Sequence, residues 1–67
     1  MQIVFRIGWT LDGVEYFLSS DHRAFITPAR NTDKDPYDKI DRHSTTSAAE
    51  SVVAAFRGSY IVEFWET

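Results

Sequence analysis

The pair Asp12-Gly13 most constrains the fold, because it lies between two runs in which apolar residues recur at every second position. Asp-Gly is a preferred pair for a two-residue type I′ turn, which joins two antiparallel strands. This turn sets the register, so that Leu11 faces Val14 and Ile7 faces Leu18. Directly opposed residues share a sheet face. We therefore predict a β-hairpin with one apolar face, formed by Phe5, Ile7, Trp9, Leu11, Val14, Tyr16 and Leu18.

The second face of the predicted hairpin mixes polar and apolar residues. It holds Val4, Arg6, Gly8, Thr10, Glu15, Phe17 and Ser19. A shift of one residue would exchange the two faces, so the register is strongly specified. Because Gly8 is opposite Phe17, we expect the Phe17 ring to lie over the bare backbone of Gly8.

A single amphipathic helix is predicted in the second half of the chain. Ser47 and Glu50 are spaced as a capping box, with Ser47 as the N-cap. The residues Ala49, Val52, Val53 and Phe56 then form one apolar stripe at helical spacing. Arg57 suits the negative end of the helix dipole, and Gly58 suits the left-handed position that follows a helix.

Two further strands are predicted around the helix. The segment 60–65 is rich in strand formers, with Tyr60, Val62 and Phe64 on one face and Ile61, Glu63 and Trp65 on the other. The segment 23–27 is expected to be a short third strand that ends at Pro28. The last strand should lie beside the first, which gives the order 4-1-2-3, or 4-1-2 without the short strand. A right-handed crossover would be favoured if the last strand were parallel to its neighbour.

The predicted fold class is therefore α+β, with an antiparallel sheet of three to four strands and one helix packed on one face. Sixty-seven residues suffice for one small domain, which we expect to span 1–67. A long charged loop at about 28–45 separates the hairpin from the helix. Its large apolar residues are Tyr37 and Ile40.

Composition excludes several classes of function. The chain has no cysteine, which excludes a disulfide framework and a cysteine-based zinc site. Seven basic residues against ten acidic ones give a net charge of -3, so we expect no direct binding to nucleic acid. The start of the chain lacks the pattern of a signal peptide, and no apolar run is long enough to span a membrane. We expect a soluble, cytoplasmic protein without a cofactor.

The histidines offer a candidate for chemistry, because His22 follows Asp21 and His43 lies close to Asp41. Such a pair could act as a base with its orienting acid. However, the chain has no cysteine nucleophile and no serine in a G-x-S-x-G context. We therefore predict solvated loop histidines and no catalytic residue.

A calcium site at Asp33, Asp35 and Asp38 is disfavoured for a similar reason. Calcium loops use alternating oxygen ligands, a glycine at the sharp turn and a terminal glutamate. Here Pro36 follows Asp35, lysines lie within the segment, and no glycine is present. We predict a charged, solvated loop without a metal ion.

The sequence indicates two candidate surfaces for a protein partner. One is the second sheet face with the last strand, where aromatic side chains could anchor a partner. The other is the charged loop, where Tyr37 is surrounded by acidic residues. The candidate partner-binding residues are Tyr37, Asp38, Asp41, Asp35, Phe17 and Trp65. The alternatives are that the aromatic residues belong to the core or to a dimer face, and that the loop is a linker.

The helix segment 47–56 followed by the aromatic strand 60–64 resembles small phage-encoded inhibitor proteins, including anti-CRISPR and host-takeover proteins. The shared layout is a hairpin, an alanine-rich helix and a terminal aromatic strand. The resemblance implies a stoichiometric inhibitor, without a catalytic site, that binds a larger protein or ribonucleoprotein complex. It assigns no individual functional residue to this chain.

Three hypotheses follow from the sequence. The first is a non-catalytic protein-binding module that inhibits a larger complex, such as a CRISPR complex that handles nucleic acid. The second is a small structural homo-oligomer that dimerises through the last strand. The third is a small enzyme or ligand-binding subunit that uses His22 or His43.

Overall fold

The computed structural model describes residues 1–29 and 35–66, and it has the predicted α+β architecture. The elements are β1 (Gln2–Leu11), β2 (Val14–Leu18), β3 (Phe25–Ile26), α1 (Thr46–Ala55) and β4 (Tyr60–Glu66). The four strands form one antiparallel sheet in the order β3-β2-β1-β4. This is the predicted order, and α1 packs on one face of the sheet.

The hairpin has the predicted register, with Gly8 opposite Phe17 and Leu11 opposite Val14. Asp12 and Gly13 both have positive φ angles, of 51° and 79°. These angles are those of a type I′ turn, whose twist matches that of the flanking strands. The local turn and the alternating pattern therefore specify the same pairing.

The strand β4 runs antiparallel to β1, so the handedness rule for parallel crossovers does not apply here. Seven residue pairs join the two strands, from Gln2 opposite Glu66 to Gly8 opposite Tyr60. The third strand is shorter than predicted, since only Phe25 and Ile26 pair with β2.

The main core lies between the sheet and the helix. Ile7, Leu18 and Ala49 are fully buried there. The partly buried residues packed around them are Phe5, Phe25, Val52, Val53, Phe56 and Ile61. The helical stripe thus covers the part of the predicted apolar face that holds Phe5, Ile7 and Leu18, whereas Leu11 and Val14 at the hairpin end are exposed. Trp9 lies at the edge of this face, with its ring centroid 5.1 Å from that of Phe25.

The helix begins two residues earlier than the capping-box pattern predicts. The N-cap is Thr45, whose hydroxyl oxygen accepts a hydrogen bond from the Ala48 amide at 3.2 Å. The prediction of Ser47 as N-cap was therefore wrong. The reason is tertiary, because His43 exchanges two backbone hydrogen bonds with Phe5 and so places the chain just before Thr45. At the other end, Gly58 has the expected positive φ of 91°, but Arg57 lies beyond the last helical residue.

The glycine in β1 makes room for a different ring from the one predicted. A Cβ atom on Gly8 would lie 2.7 Å from Cε1 of Tyr60 and 3.0 Å from Cγ2 of Val62. Tyr60 therefore covers Gly8, and the prediction that Phe17 does so was wrong. The Tyr60 hydroxyl donates to Glu15 at 2.7 Å and also bonds to the Thr10 hydroxyl, which holds the ring across β1.

Within the described ranges, the ten-residue helix is too short to cross a lipid bilayer, and no candidate membrane-spanning helix is present.

The N-cap can be tested with two alanine substitutions. We expect Thr45→Ala to lower the free energy of unfolding by about 1 kcal/mol, because it removes the side chain that caps the Ala48 amide. Ser47→Ala is the matched control, and its effect should stay within about 0.5 kcal/mol because the side chain is exposed. Urea unfolding monitored by circular dichroism measures both. A larger loss for Ser47→Ala than for Thr45→Ala would contradict this cap.

The close approach of Tyr60 to Gly8 predicts that Gly8→Ala destabilises the protein by about 1–3 kcal/mol, through steric overlap in a packed site. The same substitution in a Tyr60→Ala background should have a much smaller effect, because the ring that meets the new methyl group is gone. This double-mutant cycle isolates the contact. Equal effects in the two backgrounds would show that Tyr60 does not limit the space at Gly8.

Candidate functional site

The segment 35–43, here called the strap, follows the end of β2 and reaches the first half of β1. Backbone hydrogen bonds fix it there: Asp41 N donates to Leu18 O at 2.9 Å, and Ser20 N donates to Lys39 O at 2.9 Å. His43 and Phe5 exchange two bonds, of 2.8 and 2.9 Å. Residues 40–43 of the strap are therefore held like a short strand, and residues 36–39 form a turn before them.

In residues 40–43, the extended end of the strap, alternate side chains point to opposite sides of the sheet. Ile40 is opposed to Ser19, which lies on the second face, and His43 is opposed to Phe5, which lies on the helix face. Since successive side chains of an extended segment alternate, Arg42 joins Ile40 and Asp41 joins His43. The contacts of Arg42 with Glu66 and of Asp41 with His43 agree with this division.

On the second face, three rings form an aromatic cage, defined here as Phe17, Tyr37 and Phe64. Their centroids are 4.9–5.8 Å apart in edge-to-face arrangements, which are favourable for aromatic pairs. The guanidinium carbon of Arg6 lies 4.8 Å from the Tyr37 centroid and 4.4 Å from the Phe64 centroid. Arg6 is only 3% exposed, so these cation–π contacts take place largely out of water.

The charge of Arg6 is balanced by Glu66. Arg6 Nη2 donates to Glu66 Oε2 at 3.1 Å, and Arg42 Nη2 donates to Glu66 Oε1 at 2.8 Å. The hydrogen bonds from Arg42 and then Arg6 lower the pKa of the Glu66 carboxyl. Among the described residues, Arg6 Nε is buried without a hydrogen-bond partner. Within residues 1–29 and 35–66, the groups that surround this buried cation are therefore the cage and the Glu66 carboxylate.

The candidate partner-binding residues do not lie on one surface. Phe17 is 4% exposed and Tyr37 is half-buried, so the cage leaves their rings little area for a partner. In the strap, Asp35 accepts a hydrogen bond from the Tyr37 amide at 2.9 Å, whereas Asp38 is exposed. Trp65 is 64% exposed on β4.

The sixth candidate, Asp41, lies in a cluster with both histidines. His22 Nε2 is 2.8 Å from Asp41 Oδ2, and His43 Nε2 is 2.6 Å from the same oxygen. The side chains of Asp41 and His43 are 13% and 18% exposed, and that of His22 is 42% exposed. The expectation of solvated histidines was therefore wrong for His43, whose ring is largely covered.

The acid beside His22 in sequence has another partner. Asp21 accepts a hydrogen bond from the Ser19 hydroxyl at 2.6 Å and one from the Arg23 amide at 3.1 Å. The bond from Ser19, followed by that from Arg23, lowers the pKa of Asp21. Asp21 thus stabilises the turn in which it lies, through its bonds to Ser19 and Arg23. His22 bonds instead to Asp41, because this turn and the strap meet on the helix side of the sheet.

Sequence reasoning could have found only part of this cluster. The i, i+2 spacing of Asp41 and His43 places them on one side of an extended segment. The approach of His22 depends on how the strap pairs with β2, and no local pattern gives that pairing. Of the three aspartates of the disfavoured calcium site, Asp33 lies outside the described residues, while Asp35 and Asp38 share a turn in which the Asp38 amide donates to the Asp35 carbonyl.

The strand β4 presents a different kind of candidate site. It is the outer strand of the sheet, and within residues 1–29 and 35–66 its outer edge pairs with no other strand. The exposed Trp65 lies near one end of it.

Comparison with models of protein families, with curated proteins and with solved structures found no match for this chain. The site therefore has to be interpreted from its own geometry.

The ion pairs of Glu66 predict a specific pH dependence. Glu66→Gln should lower the midpoint of thermal unfolding at pH 7, because Arg6 and Arg42 lose their shared carboxylate. The folded-state pKa of Glu66 is lowered, so this stabilisation is complete above the ordinary carboxyl pKa of about 4.3 and is lost as the pH falls through the lowered value. The difference between wild type and variant should therefore shrink in acid.

The control for this measurement is Asp38→Asn, which removes an exposed carboxylate that has no ion pair among the described residues. Its midpoint should stay close to that of the wild type across the same pH range. A Glu66→Gln variant whose deficit is the same at pH 7 and in acid would contradict the ion-pair explanation.

Proposed function

We propose that this chain is a non-catalytic protein-binding module that acts as a stoichiometric inhibitor of a larger protein complex, with β4 as its binding element. The observation that carries the proposal is the open edge of β4 beside an exposed tryptophan. An edge strand presents backbone N–H and C=O groups that can pair with an extended segment of another chain. Adding a strand to a sheet edge is a recurring mode of peptide recognition.

The side chains of β4 supply the specificity of this pairing. Ile61, Glu63 and Trp65 alternate along the helix side of the strand. Trp65 is a natural anchor, because tryptophan is enriched among residues that dominate binding energy. Glu63 is exposed at the middle of the strand and favours a basic residue opposite it. We therefore expect the partner to contribute an extended segment with a central lysine or arginine.

The same glutamate disfavours self-association through this edge. If two copies of β4 paired antiparallel over their full length, the middle residue of each strand would face its own copy. That residue is Glu63, and like charges directly opposed across two strands are destabilising. The homodimer hypothesis is thus weaker than the hypothesis of a different protein as partner.

The proposal of a non-catalytic role is supported by the surroundings of the histidines. The chain has no cysteine, and the nearby Ser19 hydroxyl donates to Asp21. Within the described residues, neither histidine bonds to a hydroxyl group that it could activate as a nucleophile. Both imidazoles instead bond to the carboxylate of Asp41.

The resemblance to phage-encoded inhibitors supports a complex that handles nucleic acid as the target, including a CRISPR ribonucleoprotein. Direct contact with the nucleic acid is not part of the proposal. The net charge is -3, and Arg6 and Arg42 are both paired with Glu66. Binding would instead cover a protein surface of the complex and exclude its substrate or a subunit.

The test begins with capture of partners on the immobilised wild-type chain and identification by mass spectrometry. The affinity of the purified partner is then measured for Trp65→Ala and for Leu11→Ala. Leu11 is the matched control, because it is also a large exposed apolar residue but lies at the hairpin end, far from Trp65 along β1. We expect Trp65→Ala to weaken binding by about 2 kcal/mol or more, roughly 30-fold, and Leu11→Ala to change it little.

Amide hydrogen exchange supplies a second readout that does not depend on substitutions. Amides in residues 60–66 that face away from β1 should gain protection only in the complex, because the partner strand pairs with them. Protection confined to the hairpin turn, or loss of binding in Leu11→Ala but not in Trp65→Ala, would overturn β4 as the binding element.

Glu63 also distinguishes a different partner from a second copy of the chain. We expect Glu63→Thr to weaken binding to a partner that has a basic residue opposite, and to leave the protein monomeric in analytical ultracentrifugation. If self-association is the true function, the wild type should dimerise, and Glu63→Thr should tighten the dimer by removing the repulsion. That second outcome would replace the inhibitor proposal with the homo-oligomer.

A further inference from the structure

The cluster of His22, Asp41 and His43 has no role in the binding proposed for β4. We propose that these three side chains form a site for a divalent transition-metal cation of the Zn²⁺ type. Each side chain offers one ligand atom, and the three atoms lie within 4.8 Å of one another. Two imidazole nitrogens and one carboxylate oxygen make a donor set that suits zinc.

The donor chemistry selects among cations. Magnesium and calcium prefer sites built of oxygen ligands, whereas imidazole suits zinc, copper, iron and nickel. The carboxylate of Asp41 contributes one negative charge between two histidines, which favours a cation at the centre of the cluster. Three protein ligands also leave one position of a tetrahedral metal ion open to water.

Only small changes in the distances between the three ligand atoms are needed to admit the ion: the two nitrogen–oxygen distances must expand, and the nitrogen–nitrogen distance, which is at most 4.8 Å, must come to the tetrahedral spacing. Tetrahedral zinc with bonds of about 2.1 Å separates neighbouring ligand atoms by about 3.4 Å. The two nitrogens now lie 2.8 and 2.6 Å from Asp41 Oδ2, as hydrogen-bonded groups do. Each separation must therefore increase by less than about 1 Å. His22 has the most exposed of the three side chains, so its ring has the most room to shift as the ion enters.

The backbone already holds the three ligands in place. Asp41 and His43 lie on the strap, whose amides are bonded to Leu18 and Phe5. The His22 amide donates to the Ser19 carbonyl at 2.9 Å, and His22 has a positive φ of 60°. A non-glycine residue with this φ is uncommon, and here it points the imidazole toward the strap. Little ordering would remain to oppose binding of the metal.

The metal would join two segments that are far apart in sequence. One ligand comes from the turn after β2, and the other two come from the strap. The ion would therefore act as a clamp that fastens the strap to the turn on the helix side of the sheet. Any ligand that binds the folded state alone raises its stability.

The experiment is a calorimetric titration of the full-length, untagged protein with ZnCl₂ in chelator-treated buffer, together with thermal unfolding. We expect one Zn²⁺ per chain and a higher unfolding midpoint in its presence. His22→Ala should weaken the affinity by more than about tenfold, since even changes to the outer partners of a metal site lower affinity by that amount. His22 is the ligand of choice because its exposed side chain can be removed with the least risk to folding.

Asp38→Asn is the matched control, because it removes a nearby strap carboxylate that is outside the cluster, and it should bind Zn²⁺ like the wild type. Replacement of Zn²⁺ by Co²⁺ should give the visible absorption of a four-coordinate ion in the wild type and a much weaker band in His22→Ala. The proposal is overturned if the wild type shows no binding at millimolar Zn²⁺. It is equally overturned if His22→Ala binds Zn²⁺ as tightly as the wild type.

Discussion

The backbone hydrogen bonds that join the strap to β1 and to the end of β2 determine the arrangement of most of the remaining features. They bring Tyr37 over the second face, where it completes the cage around Arg6. They also direct Arg42 to Glu66 on that face and Asp41 to the histidines on the other. Without these bonds the second face would lose its cover, and a largely buried guanidinium would be open to water.

The protein therefore has a core on each side of its sheet, and the two differ in chemistry. The core under the helix is aliphatic and aromatic, with Ile7 and Leu18 fully buried. The core under the strap combines the buried aliphatic residues Val4 and Ile40 with aromatic rings around one cation. Removing a charge from water is unfavourable unless the charge is paired. Arg6 meets this requirement through Glu66 and the faces of two rings, so this second core is specified by geometry as well as by apolar area.

The predictable part of the structure is the part that depends on local pattern. Alternation and the Asp-Gly turn gave the hairpin register, and helical spacing gave the stripe of α1 and the face it covers. The errors concern choices made by distant residues. A run of serines and threonines offers several N-caps, and the pairing of His43 with Phe5 favours Thr45. Both Phe17 and Tyr60 are neighbours of Gly8, and the bonds of the Tyr60 hydroxyl decide which ring covers it.

The candidate site follows the same rule. Tyr37 and Ile40 were recognised as the large apolar residues of the charged loop, but sequence could not show whether they anchor a partner or their own sheet. Their burial follows from the register of the strap, which local periodicity does not encode. His22 joins Asp41 for the same reason, since the two residues meet only when the strap is in place.

The pairing of β1 with β4 has a consequence for synthesis of the chain. About 50 residues separate Leu11 from Tyr60, so β1 is translated well before its neighbour on that side. At about 5–20 residues per second, several seconds pass in which the edge of β1 that will pair with β4 has no partner strand. During that time this edge presents unpaired backbone groups, which can pair with any extended chain nearby. Protection of the nascent hairpin therefore depends on how quickly the ribosome reaches β4.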